Sequence, residues 1–138
     1  MTRNIKILWI VFIALVAVVG TGVGIGAYYL IKSGVTRPFD NMFGDQHLKT
    51  AVALVELHKV RYGRYPKTLH DLRFLGEWDR IVLDAVEYCT DPDGTRYFLE
   101  VRTGWIGKPE LSPPPEFWQG TGFNKSLGPC RQRDRTPV

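Results

Sequence analysis

No charged residue interrupts the chain between Ile7 and Ile31, and all 138 residues include only two cysteines and three histidines. Each scarcity excludes a class of chemistry. Neither Cys89 nor Cys130 belongs to a CxxC pair, so no tetrahedral zinc framework is available. His47 and His58 are eleven residues apart, about 16 Å along a helix, too far to share one metal ion. His70 has no ligand-spaced companion. There is no GxSxG elbow, no phosphate-cradling glycine loop after a strand and no HExxH pair. The 14 acidic residues include no favoured couple for acid–base work. The expectation is a non-enzymatic protein without cofactor, metal or small-molecule substrate.

A strong basic excess is also missing. The net charge is +4, but Arg3, Lys6 and Lys32 supply three of those charges. Residues 33–138 then carry 15 basic against 14 acidic side chains (18 less three, and all 14). A nucleic-acid partner is therefore not expected. The local cluster Lys59, Arg61, Arg64, Lys67 and Arg73 is interleaved with Glu56 and Asp71, which suits a solvated or headgroup-facing surface.

The uncharged stretch ILWIVFIALVAVVGTGVGIGAYYLI is 25 residues long. As a helix it spans about 37 Å, more than the ~30 Å hydrocarbon core of a bilayer. A basic start and small residues at Gly24, Gly26 and Ala27 also fit a cleaved signal peptide. The run is longer than a usual signal core, however, and ends in Tyr28-Tyr29 before Lys32, as an interfacial anchor does. A single retained transmembrane helix within residues 1–32 is the expectation, with the lipid bilayer as its partner. Gly20, Gly22, Gly24 and Gly26 make two small-xxx-small pairs that let another membrane helix approach. The alternative is that glycine is simply common in membrane helices.

Residues 33–44 contain Gly34, Pro38 and Gly44 and read as a linker. Helical periodicity returns from Asp45, a candidate cap, with Leu48, Val52, Val55 and Lys59 or Tyr62 on one side, flanked by Ala51 and Leu54. The amphipathic helix is expected over about 45–61, stopped by Gly63. Tyr65 and Pro66 open a turn. Thr68 starts a helix of one to two turns that holds Leu69, Leu72 and Phe74 or Leu75. Residues 84–90 and 95–102 then alternate around DPDG, a strong hairpin signal. A third strand is expected near Phe117 to Gly122, because a lone hairpin is barely stable. Residues 104–116, with three consecutive prolines, read as a loop, and 131–138 as a disordered tail. Asp91, Asp93 and Asp84 raise the question of calcium, but Asp favours such turns by its own hydrogen bonds, and calcium needs about six oxygen ligands.

The even cysteine pair suggests one disulfide in an extracytoplasmic domain over residues 45–130. Closing a loop of about 41 residues would be worth roughly 4 kcal/mol. Two free thiols are the alternative. Basic residues flank the apolar helix on both sides, so the positive-inside rule discriminates little. The cysteines point to a cytoplasmic N-terminus and a domain on the oxidising side.

The order of these features has a counterpart. An apolar N-terminal helix, an amphipathic extension, Gly63-x-Tyr65-Pro66, Leu69-x-x-Leu72 and the hairpin Asp91-Pro92-x-Gly94-x-x-Tyr97 together resemble type IV pilin-like proteins. The similarity is greatest to the major pseudopilin of type II secretion and covers about residues 7–103. It implies an α+β fold, with the amphipathic helix packed on a small antiparallel sheet. It also implies a single-pass protein of the bacterial inner membrane, with a periplasmic domain and other membrane or periplasmic proteins as partners. Pilin-like proteins carry a glycine before the apolar run and a glutamate inside it. MTRNIKILWIVFIALV has neither, so the expectation is a pilin-like domain that is not processed or polymerised as a standard pilin. No calcium loop of the pseudopilin kind follows. The implied role is structural, in or beside a secretion or pilus machine. The alternative is an accessory or regulatory single-span subunit of an unrelated membrane complex.

Overall fold

The computed structural model describes residues 2–128 and Cys130, with side chains from Ile5 onward. The tail from Arg131 lies outside the described residues. The chain forms two compact units, divided between Thr36 and Arg37.

The first unit is helix α1, Thr2–Lys32. Ile5–Lys32 has a mean hydropathy of 2.5, is long and apolar enough to cross a membrane, and buries nothing within the protein. Aromatic pairs mark its two ends: Trp9 with Phe12 and Tyr28 with Tyr29. Lys32 Nζ lies 5.8 Å from the Tyr28 ring. Ser33 and Gly34 close the helix with backbone bonds to Tyr29 and Ile31.

The second unit opens with helix α2, Arg37–Tyr62. This corrects the expected start near residue 45. Pro38 falls in the first turn, where no backbone N–H is needed, so it starts the helix instead of breaking it. Asp40 in the same turn suits the positive end of the helix dipole. Gly44 is tolerated inside the helix because Pro109 packs against it; a Cβ there would lie 2.5 Å from the Pro109 ring. Asp45 is therefore not a cap. It sits within the helix and pairs with Lys49 at 2.6 Å, an exposed i,i+4 pair of small worth. The buried stripe runs Asp40, Gly44, His47, Leu48, Ala51, Val52 and Val55, the three-and-four spacing of one helix face. Gly63, at φ +76°, donates its N–H to Lys59 O and ends the helix in a conformation that costs glycine little.

A single 3-10 turn, Leu69–Asp71, stands where one to two turns of helix were expected. Leu69 and Leu72 are buried and Phe74 is half-buried, whereas Leu75 is fully exposed. Thr68 N–H donates to the Asp71 carboxylate at 3.0 Å. Helix α3, Val82–Ala85, takes the first two residues expected of the strand. Strand β1, Val86–Thr90, then pairs antiparallel with β2, Tyr97–Val101, from Val86 opposite Val101 to Thr90 opposite Tyr97.

The expected third strand does not form. Residues Pro115–Trp118 make a 3-10 turn, and only an isolated bridge joins Phe123 to Tyr97. Ring stacking replaces the ladder: Trp118 lies 3.8 Å from Phe123, which in turn meets Phe98 and Tyr97 at 6.2 Å. The second unit is thus α+β, with a two-stranded sheet among the described residues. Its core combines the inner face of α2 with Leu69, Leu72, Val82, Ala85, Val86, Tyr97, Leu99 and Val101. A disulfide joins Cys89 on β1 to Cys130, with Cα atoms 5.7 Å apart.

Candidate functional site

Gly63, Tyr65, Pro66, Gly94 and Tyr97, all singled out in the sequence, converge on one corner of the second unit. Gly63 ends α2 and turns the chain so that Tyr65 enters the core. Tyr65 N–H donates to Gly94 O at 2.9 Å, which joins the Gly-Arg-Tyr-Pro turn to the Asp-Pro-Asp-Gly hairpin. The Tyr65 ring meets Tyr97 edge-on at 4.8 Å. Its hydroxyl donates to the Glu56 carboxylate, whose oxygens lie at 3.0 and 3.1 Å. Gly122 N–H donates to the same carboxylate at 3.1 Å. Gly122 has no room for a side chain, because a Cβ there would collide with the Tyr65 ring. Pro66 is fully buried, and its carbonyl accepts the Tyr88 hydroxyl at 2.8 Å. Three segments separated in sequence therefore meet here: the end of α2 with its turn, the hairpin, and Gly122.

Burial dominates the electrostatics of this corner. Burial raises the pKa of Tyr65 to about 12, and the Glu56 carboxylate adds to the effect. Burial also pushes the Tyr88 and Tyr97 phenols above their ordinary value. The Tyr65 and Tyr88 hydroxyls donate hydrogen bonds, to Glu56 and to Pro66 O, whereas the buried Tyr97 hydroxyl has no hydrogen-bond partner among the described residues.

The hairpin turn is built around Asp91, which is buried. Its Oδ1 accepts Thr95 N–H at 2.8 Å and Arg96 N–H at 3.2 Å, and its Oδ2 accepts the Thr95 hydroxyl at 2.8 Å. Arg96 Nε approaches Oδ2 at 3.4 Å. Burial alone would raise this carboxyl's pKa; the bonds from Thr95 and Arg96 outweigh it and hold the group well below the usual carboxylate range. Pro92 and Asp93 are exposed at the tip, and Asp84 lies apart in α3. Among the described residues no three His, Cys, Asp or Glu side chains gather as a metal site would need. His47 is buried, with Nδ1 3.2 Å from Thr103 O. His58 sits against the Tyr62 ring at 4.5 Å, and burial lowers its pKa. His70 is exposed.

On the solvent side the corner forms an open groove of about 610 Å³, lined by His58, Tyr62, Arg64, Tyr65, Lys67 and Asp71 among others. The mixed charge anticipated for this stretch lies along it. Lys59 Nζ stands 5.2 Å from the centre of the Tyr65 ring. The remaining expected residues lie elsewhere. Gly20, Gly22, Gly24 and Gly26 are all exposed on α1, with open space where a Cβ would stand.

Several structural residues escaped the sequence reading. Glu56 is the hub of the corner, and Asp40 holds the loop at 104–107: its Oδ1 accepts the N–H groups of Trp105, Ile106 and Gly107 at 3.0, 2.7 and 2.8 Å. Asn41 Oδ1 accepts Glu110 N–H at 2.8 Å. The available signal was the helix period itself. Counting back from Leu48 in steps of four reaches Gly44 and Asp40. No family model, no curated protein and no solved structure matches this chain.

Proposed function

We propose that this chain is a membrane-anchored, non-enzymatic structural protein of the bacterial inner membrane, with a pilin-like periplasmic domain that acts in or beside a type II secretion or type IV pilus-like machine. The observation that carries the reading is the Tyr65–Gly94 bond. It unites the two motifs on which the resemblance rests, Gly-x-Tyr-Pro and Asp-Pro-x-Gly, in one corner beside an open groove. The apolar helix α1 supports the anchor, and the Cys89–Cys130 disulfide supports an oxidising compartment for the second unit. The hydrogen-bonded Tyr65 and Tyr88 hydroxyls and the internally bonded Asp91 support a scaffold.

Photo-crosslinking in the native membrane tests it. A benzophenone amino acid replaces Arg64, whose side chain is exposed in the groove, in the full chain at native expression. Crosslinks to pilin-like or inner-membrane secretion components are expected. Crosslinks confined to the subunits of another membrane complex would overturn the secretion reading and favour an accessory subunit there. Intact-mass measurement of the same preparation addresses assembly: a mature chain lacking its first residues would contradict the expectation that it is not processed as a standard pilin.

A further inference from the structure

The Asp40 clasp has a second face. It fixes the loop 104–107 so that Trp105 and Ile106 stand out from the surface, 55% and 47% exposed. Phe39 and Met42, three apart on α2 and hence on one helix face, are 49% and 59% exposed. The Phe39 and Trp105 rings meet at 5.6 Å. A carboxylate buried to 4% exposure thus holds in place a contiguous apolar patch that the protein leaves open to its surroundings. Arg37, two residues before Phe39, and Lys108, two residues after Ile106, are both exposed, with Lys108 paired to Glu100 at 2.6 Å. Such a patch on a soluble surface marks an interaction site.

Chain geometry says what covers it. Phe39 lies seven residues beyond Lys32, the end of the apolar span, so even a fully extended chain keeps it within about 25 Å of that point. The ring contact brings Trp105 under nearly the same limit. An indole and a phenyl ring flanked by basic side chains have the composition that settles at the level of lipid headgroups. The other exposed tryptophan of the second unit, Trp78, has no such tether.

We infer that Phe39, Met42, Trp105 and Ile106 form a wedge that rests in the headgroup layer of the membrane crossed by α1, with lipid as its occupant. This rests on the membrane-anchor reading of α1.

The test uses the full chain, labelled with 5-fluorotryptophan, in phosphatidylcholine nanodiscs at one copy per disc. Fluorine resonances are assigned by single Trp→Phe replacements. A nitroxide-bearing phosphatidylcholine is expected to broaden the Trp105 signal, while a water-soluble gadolinium chelate leaves it sharp. Broadening by the chelate with no effect of the nitroxide would overturn the inference. Protection from both reagents would overturn it too, because a protein surface would then be covering the patch. Trp9, inside α1, is the separate control. If the nitroxide spares Trp9, the membrane anchor itself fails, and if it broadens Trp9 but not Trp105, only the wedge fails. Ile106→Ser, at a half-exposed side chain, should partly restore chelate access to Trp105. The Trp118 resonance, from a ring stacked on Phe123, should stay unchanged in that variant and report the intact core.

Discussion

A carboxylate leaves water at considerable cost, and Asp91 offsets that cost with partners no more than five residues away. Two amides and a hydroxyl favour its charged form, so its folded pKa lies below the unfolded value. The resulting stabilisation is present above the unfolded pKa near 3.8 and is lost as pH falls through the folded value. Asp91→Asn keeps the shape and removes the charge. Thermal unfolding of this variant should begin lower than that of the wild type at neutral pH, and the gap should close progressively as the buffer is taken well below about pH 4. A gap that persists unchanged into strong acid would show that the charge of Asp91 does not stabilise the turn. Glu56 works on the same scale by a different route: it satisfies a tyrosine hydroxyl and a backbone amide that would otherwise be buried without partners.

Among the elements, α2 has a start defined by polar contacts. Asp40→Ala removes the one acceptor shared by three consecutive amides, so the loss should exceed that of a single exposed hydrogen bond and fall at about 1–3 kcal/mol. Hydrogen exchange should show lost protection at Trp105, Ile106 and Gly107, with the Tyr97–Val101 strand little changed. Unaltered exchange at those three amides would mean that the loop is held by packing alone. This polar start is also why the first eight residues of α2 were not legible in the sequence. A hydrophobic period identifies Leu48, Val52 and Val55, but it passes over a stripe whose next members are His47, Gly44 and Asp40. The hairpin was legible because its turn chemistry is local: Asp91, Gly94 and Thr95 lie within one short segment. The third strand was misjudged because residues 117–123 are aromatic, a composition common to strands and to packed turns. Phe123 stacks on Trp118 and Phe98 and meets Tyr97 edge-on, and two backbone bonds, Tyr97 N–H to Gly122 O and Asn124 N–H to Tyr97 O, tie the segment to β2 in place of a ladder. Glu56 could not be assigned a role because its partners lie 9 and 66 residues away.

For the second unit as a whole, a two-stranded sheet is too small to stand alone. The segment after β2 must stay wrapped over it, and the Cys89–Cys130 disulfide ties the end of that segment back to β1. With a sequence separation of 41 between the cysteines, chain entropy predicts a stabilisation of roughly 4 kcal/mol. That is a large share of the ~5–15 kcal/mol by which natural domains are stable. The double variant Cys89→Ser, Cys130→Ser should therefore unfold at distinctly lower denaturant concentration, and adding reductant should shift the wild type in the same direction while leaving the variant unmoved. The bond also reports compartment. Alkylation in intact cells before any reduction should label neither cysteine, and alkylation after reduction should label both. If both thiols react at once in freshly opened cells, the second unit resides on a reducing side of the membrane, and the proposed orientation of α1 is reversed.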